Sequence, residues 1–200
     1  DAEIACLKAI AAGEPEAVAC ARLAEALLRL DDDFAFVAEC NEGGEFMVPE
    51  RLARLQAIAA HTWTRTLDDR IGISHEESAR KARTPAVALP VREALLADRP
   101  EHIVERQARD RMPPDNPWGF RMAVPEALYN KGELHNLGVA RGTLSEEERY
   151  KINEHIVQTV IMLGQLPFPR HLRTVPEIAG GHHEKMDGTG YPRRLTRDEM

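Results

Sequence analysis

Prolines concentrate between residues 83 and 125, and this distribution constrains the fold more than any other feature of the chain. Seven of the 13 prolines lie there. A proline inside a helix removes a backbone hydrogen bond and collides with the preceding turn, so no long helix can cross this stretch. We therefore expect helices on either side of it, and we interpret residues 83–140 as a proline-rich irregular connection over the surface.

The regions on both sides of this connection have helical patterns. Residues 2–12 predict a short helix, and Leu23, Leu27, Leu30 and Phe34 recur at helical spacing in a second one. The remaining helix starts are marked by prolines suited to a first turn or by capping boxes. These starts lie at Pro49, Ser74, Ser145 and Pro176. No convincing strand pair is found, so the predicted fold class is all-α.

Three regions follow from these patterns. Residues 1–82 form a helical region without a recognised motif, residues 83–140 form the connection, and residues 141–200 contain the motifs that indicate chemistry. We expect the chain to be a fragment of a longer protein, because it opens in helical rhythm without an initiator Met and stops just after a helix start.

Charge and hydropathy exclude several classes of function. The net charge of −7 argues against DNA binding over a broad surface, which is usually basic. No apolar run approaches the roughly 18 residues that suggest a membrane span. The three cysteines form no CxxC pair and no disulfide framework, which predicts reduced thiols in a cytoplasmic protein.

Two adjacent histidines near the C-terminus are the first candidate ligands. His182 and His183 follow two glycines and precede the carboxylates Glu184 and Asp187. Adjacent residues on a helix point about 100° apart, so one helix end can supply ligands to two neighbouring ions. The alternative interpretation, a solvated and charged helix end, fits a bare His-His-Glu better than it fits the longer string HHEKMDGTGYP.

His155 is the third candidate ligand. It lies in the middle of the helix that Ser145 opens and flanks its apolar stripe of Ile152, Ile156, Val160 and Leu163. Taken alone, such a residue is more often a histidine at the edge of the core. Beside a two-histidine helix end it becomes a candidate for the same metal site.

The segment after the histidines predicts a loop with binding properties. Gly188 and Gly190 let backbone N–H groups approach an anion, and Tyr191 offers a stacking face and a hydroxyl. Pro192 stiffens the exit, and Arg194 can meet phosphate. A solvated surface arginine is the competing interpretation of Arg194.

The string from Leu144 to Leu195 resembles the second half of an HD-GYP domain, through its LSEEER helix, the HHE pair and the DGTGYP loop. The resemblance implies an HD-superfamily helical bundle, here with an additional helical and proline-rich insertion. It implies His155, His182 and His183 as ligands of two or three divalent ions, iron or manganese. It further implies hydrolysis of cyclic di-GMP to pGpG or GMP, synthase (GGDEF) domains as partners, and a homodimer as the candidate assembly.

One family motif is absent from its usual place. The His-Asp pair of the family would fall at Pro117-Trp118, and the nearest similar string, His135-Asn136, has an amide where a carboxylate is needed. Either the missing half lies upstream of residue 1, with residues 1–140 inserted between the halves, or the domain is degenerate and binds cyclic di-GMP or a synthase domain without catalysis. A helical scaffold with incidental histidines is the third alternative.

Overall fold

The computed structural model describes residues 1–113 and 115–200, and within them the chain divides into two compact units. Unit 1 contains residues 1–102 and 131–143, and unit 2 contains residues 103–130 and 144–200. The predicted all-α class is confirmed, because helices dominate both units and the strands are few and short. None of the described helices combines the length and hydrophobicity needed to cross a bilayer.

Unit 1 is built on a helical hairpin. The helices are α1 (Ala2–Ala11), α2 (Glu16–Glu42), α3 (Pro49–Ala59), α4 (His75–Lys81) and α5 (Glu133–Leu137). The core between α2 and α3 contains Phe36, Cys40, Leu55 and Ile58. The predicted apolar stripe of α2 is wrong as a core face: Phe34 is 78% exposed, whereas Phe36 is buried.

Unit 2 contains the helices α6 (Glu146–Gly164) and α7 (Val175–Gly181), which pack against each other. Its core consists of Phe120, Ile156, Val157 and Val160. The stripe predicted on α6 is confirmed at Ile156 and Val160, but Ile152 is 53% exposed.

Two antiparallel strand pairs contradict the expectation that the chain has none. In unit 1, β1 (Thr62–Arg65) pairs with β2 (Val91–Ala94), and in unit 2, β3 (Ile103–Glu105) pairs with β4 (Ala127–Asn130). Each strand has three or four residues, too few for a clear alternating pattern, and the partners are too far apart in sequence for a hairpin turn signal. Much of the predicted irregular connection therefore forms short regular elements.

Candidate metal centre

Helix α6 positions the first of the three histidines. Its predicted capping box is confirmed: the Ser145 hydroxyl accepts from the Glu148 backbone N–H at 3.3 Å, and the Ser145 N–H donates to the Glu148 carboxylate at 2.9 Å. These bonds satisfy two backbone groups that would otherwise lack partners at a helix start. The helix then continues past His155, as predicted.

Helix α7 brings the other two histidines to α6. The predicted start near Pro176 is confirmed. The helix ends at Gly181, so His182 caps it and His183 lies in the following turn. A Cβ atom on Gly180 would lie 2.6 Å from Cγ2 of Val160 on α6. Glycine at this position therefore permits a closer approach of the two helices than any other residue would.

The three imidazoles converge. One ring nitrogen from each of His155, His182 and His183 lies within 4.8 Å of the others. The ring centroids of His155 and His183 are 5.3 Å apart, and those of His182 and His183 are 3.9 Å apart. The geometry thus brings together the three residues that the sequence nominated as ligands.

Two of the rings are oriented by backbone carbonyls. Nδ1 of His155 contacts the Ile152 carbonyl oxygen at 2.5 Å, and Nδ1 of His182 contacts the Ala179 carbonyl oxygen at 2.7 Å. A carbonyl oxygen only accepts, so each contact requires the proton on Nδ1 and leaves the lone pair on Nε2. Protein-bound metals are commonly held by histidines whose second nitrogen is fixed in this way.

The third ring has an environment that favours its neutral form. Burial lowers the pKa of His183 below its ordinary value, and the neighbouring His182 and His155 lower it further. A neutral imidazole has the lone pair that a metal needs, so this environment favours ligation over protonation.

The donor set fits a divalent transition ion. Imidazole nitrogens suit iron, zinc, copper and nickel, so the three rings alone do not select one metal. Among the described residues the cluster contains imidazoles only, with no carboxylate oxygen joining it. His135 belongs to α5 in unit 1 and is not a member of the cluster.

The carboxylates of Glu184 and Asp187 accept hydrogen bonds from residues in and just after the loop. The Glu184 carboxylate accepts from the backbone N–H groups of Arg193, at 2.6 Å, and Leu195, at 3.0 Å. The Asp187 carboxylate accepts from the N–H and the hydroxyl of Thr189, at 2.9 and 2.6 Å. These bonds lower the pKa of Asp187. A catalytic or outer-shell role for either carboxylate stays a prediction.

Glycine is required at two positions of the loop for different structural reasons. A Cβ atom on Gly190 would lie 2.4 Å from the Lys185 nitrogen, so only glycine fits there. Gly188 has a φ of +75°, which side chains disfavour. Between the loop and the histidines, the Tyr191 ring stacks on His183 with centroids 4.6 Å apart, and Pro192 is fully buried.

A cleft of about 690 Å³ lies between this loop and α6. Its wall includes Tyr191 and Arg194 from the loop and Arg149, Tyr150 and Asn153 from α6. The sequence analysis missed the three α6 residues. Their signal was available, because positions 149, 150 and 153 share one face of a helix on which Glu146 also lies.

Comparisons with known proteins identify the family and several relatives of this chain. A family model described as "HD domain" matches residues 90–200, which is more than half of the chain. The chain is 36% identical over 87 residues to 3'3'-cGAMP-specific phosphodiesterase 3 of Vibrio cholerae, a match that covers 43% of this chain and 18% of the relative. It is 35% identical over 86 residues to 3'3'-cGAMP-specific phosphodiesterase 1 of the same organism, covering 38% and 19%.

The chain spans less than a fifth of the length of these curated relatives. No solved structure matches it significantly. The family match begins at residue 90, so it also includes the second strand pair and α5, which the motif resemblance did not reach. The motifs from Leu144 to Leu195 predicted this result. Because the family model matches more than half of its residues, the chain belongs to the HD domain family.

Proposed function

We propose that this chain contributes the histidine half of a metal-dependent phosphodiesterase site that hydrolyses cyclic dinucleotides, with cyclic di-GMP as the substrate and pGpG or GMP as the products. The observation that carries the proposal is the convergence of three imidazoles from two helices beside a glycine-rich tyrosine loop. The names of the similar Vibrio proteins support the reaction class and make 3'3'-cGAMP the competing substrate.

His155, His182 and His183 would hold the metal, with iron or manganese as the proposed ions. A bound divalent ion supplies charge that stabilises a phosphoryl group as it is hydrolysed. The residues of this chain present three imidazoles, fix the orientation of two of them through the Ile152 and Ala179 carbonyls, and keep Tyr191 against His183. We further propose synthase domains as partners of the loop.

The second candidate is a degenerate module that binds a cyclic dinucleotide without hydrolysing it. The observation that favours it is the absence of a carboxylate from the histidine cluster within the described part of the chain. Two-metal sites usually combine imidazole with carboxylate ligands, so a cluster of imidazoles alone binds fewer ions or binds them more weakly.

Metal content and turnover measured on the same preparations test the proposal. We expect the wild-type protein to retain iron or manganese and to convert cyclic di-GMP to linear products, followed by chromatography beside 3'3'-cGAMP. His183→Ala should lose the metal and at least about a hundredfold in turnover, because bound ions contribute several kcal/mol to such reactions.

His171→Ala is the matched control, since His171 is exposed and outside the cluster. It should keep both metal and turnover. Retention of metal and turnover by His183→Ala would contradict the proposal. Binding of cyclic di-GMP without turnover in a metal-loaded wild type would favour the degenerate module instead.

A further inference from the structure

Two adjacent arginines after the loop have different environments. The Arg193 guanidinium donates from Nε to the Trp118 carbonyl oxygen at 3.1 Å and is partly buried. The Arg194 guanidinium is exposed and has no hydrogen bond or ion pair with any residue that the structure describes. Arg193 therefore holds the loop in place, whereas the charge of Arg194 is left available.

Arg194 is also the one non-glycine residue with a positive φ, +57°, in the described part of the chain. The left-handed conformation is unfavourable for an arginine, because its Cβ crowds the following carbonyl oxygen. Such strain persists only where the surroundings enforce it, and it concentrates at functional sites.

Glu184 holds the backbone around Arg194 in this conformation. Its carboxylate accepts hydrogen bonds from the backbone N–H groups on both sides of Arg194, those of Arg193 and Leu195. With both neighbours bound to one side chain, the backbone turns at residue 194 in the left-handed region, where glycine would be the unstrained choice. The sequence nevertheless has arginine there.

Arg194 lines the cleft between the loop and α6. Arg149 lies on the wall of the same cleft and donates to the Leu144 carbonyl oxygen at 3.3 Å. Glu146 is the one carboxylate among the residues described as lining the cleft, so the two arginines give this wall a net positive charge.

We propose that Arg194 binds the second phosphate of a cyclic dinucleotide, the one that is not being cleaved, in the cleft between the loop and α6. The inference rests on the proposed function and adds the contact that distinguishes a substrate with two phosphates from one with a single phosphate. A cyclic dinucleotide has two phosphodiesters on opposite sides of one ring, so only one can be at the histidines. Tyr191 contacts His183 and also lines the cleft, so the histidine cluster and the cleft adjoin each other at this residue.

The experiment compares two substrates on the metal-loaded protein. Cyclic di-GMP has both phosphates, whereas bis(4-nitrophenyl) phosphate has one. Arg194→Ala should raise the KM for cyclic di-GMP on the order of tenfold or more, the usual loss for a charged hydrogen bond, with a much smaller effect on bis(4-nitrophenyl) phosphate. Arg194→Lys should recover part of the loss, and Arg173→Ala, an exposed arginine outside the cleft, should behave as wild type.

Arg194→Gly separates binding from structure. It relieves the backbone strain, so its melting temperature should equal or exceed that of the wild type while its KM for cyclic di-GMP rises as in Arg194→Ala. The proposal is overturned if Arg194→Ala leaves the KM for cyclic di-GMP within twofold of wild type. It is also overturned if the KM values for both substrates rise equally, because that result would indicate a structural role for Arg194.

If the wild type hydrolyses neither substrate, the proposed function fails but the inference is still tested. Equilibrium titration with fluorescently labelled cyclic di-GMP then replaces turnover. Binding that is at least about tenfold weaker in Arg194→Gly supports the phosphate contact. Equal binding by both proteins, or no binding by the wild type, refutes it.

Discussion

Unit 1 and unit 2 each contain a cluster of ionisable side chains, but the two clusters are composed in opposite ways. In unit 1, Glu93 on β2 pairs with Arg65 at 2.9 Å and with Arg99 at 3.1 Å, and Asp69 pairs with Lys81 at 3.2 Å. Every charge there has a partner of opposite sign. In unit 2, three imidazoles lie together, and no carboxylate among the residues that the structure describes joins their cluster.

The pKa shifts express the same difference. The hydrogen bond from Arg65 lowers the pKa of Glu93, with Arg99 adding to the effect, so the ion pairs favour the charged forms. Burial and the two neighbouring rings lower the pKa of His183, so its neutral form is favoured. Paired opposite charges stabilise a fold by themselves. The proposed function instead requires the three imidazoles to bind a cation.

The largest effect should come from supplying that cation. Mn²⁺ at about 100 times its dissociation constant should stabilise the wild type by about 2.7 kcal/mol, because an ion that binds only the folded state shifts the equilibrium toward it. His182→Ala should lose this gain, measured as the shift in melting temperature with and without Mn²⁺. Glu93→Gln should keep it, and an equal loss in both variants would remove the distinction between the clusters.

Breaking the ionic cluster should come next in size. Glu93→Gln should lower the free energy of unfolding by about 1–2 kcal/mol, because Arg65 and Arg99 lose their shortest ion pair in a partly exposed site. Both arginines keep a longer contact with Asp69, at 3.7 and 3.6 Å. Urea denaturation measures the change. Glu76→Gln, an exposed glutamate on α4 with no ion pair among those described, is the control and should change little. Equal effects of the two substitutions would show that the ionic cluster contributes no specific stability.

The helix that carries His155 can be weakened without touching a charge. Ser145→Ala removes one side of the capping box and should cost about 1 kcal/mol of stability. Because the remaining core contacts of α6 hold His155, Mn²⁺ affinity should change by less than about tenfold, as measured by calorimetric titration. A complete loss of Mn²⁺ binding would mean that the cap, rather than packing, positions the ring.

The smallest expected effect is the change with pH in the stability that Glu93 contributes. The folded pKa of Glu93 lies below the ordinary value of 4.5, so its contribution is fully present above that pH. It is lost as the pH falls through the lowered folded pKa. The stability gap between wild type and Glu93→Gln should therefore be constant from pH 7 to 5 and narrow below about 4.5, in urea denaturation at each pH. A gap that does not narrow would rule out the ionised carboxylate as its source.

Several elements were predictable because their signals are local. The capping boxes at Ser74 and Ser145 depend on residues three positions apart. The box at Ser145 has both of its hydrogen bonds, whereas at Ser74 the described bonds include only the one from the Glu77 N–H to the Ser74 hydroxyl. His155, His182 and His183 were nominated from a short motif and one helical segment, and the geometry brings their rings together. Pro176 indicated the start of α7, because proline is accepted in the first turn of a helix.

Other features depend on contacts that a linear pattern does not contain. The β1–β2 pair joins residues about 30 positions apart, too far for a single hairpin turn to connect them. The exposure of Phe34 follows from which face of α2 meets α3, which helical spacing alone does not decide. The position of Arg194 in the left-handed region became visible only with the two hydrogen bonds to Glu184.

Gly180 has a consequence for metal choice. The narrow gap that it permits between α6 and α7 sets how far apart His155 and the His182–His183 pair are, although none of these residues is altered by a change at position 180. Ions of different radius demand different ligand separations. If the three histidines bind an ion as proposed, the metal preference can thus drift through one buried small residue while every proposed ligand is retained.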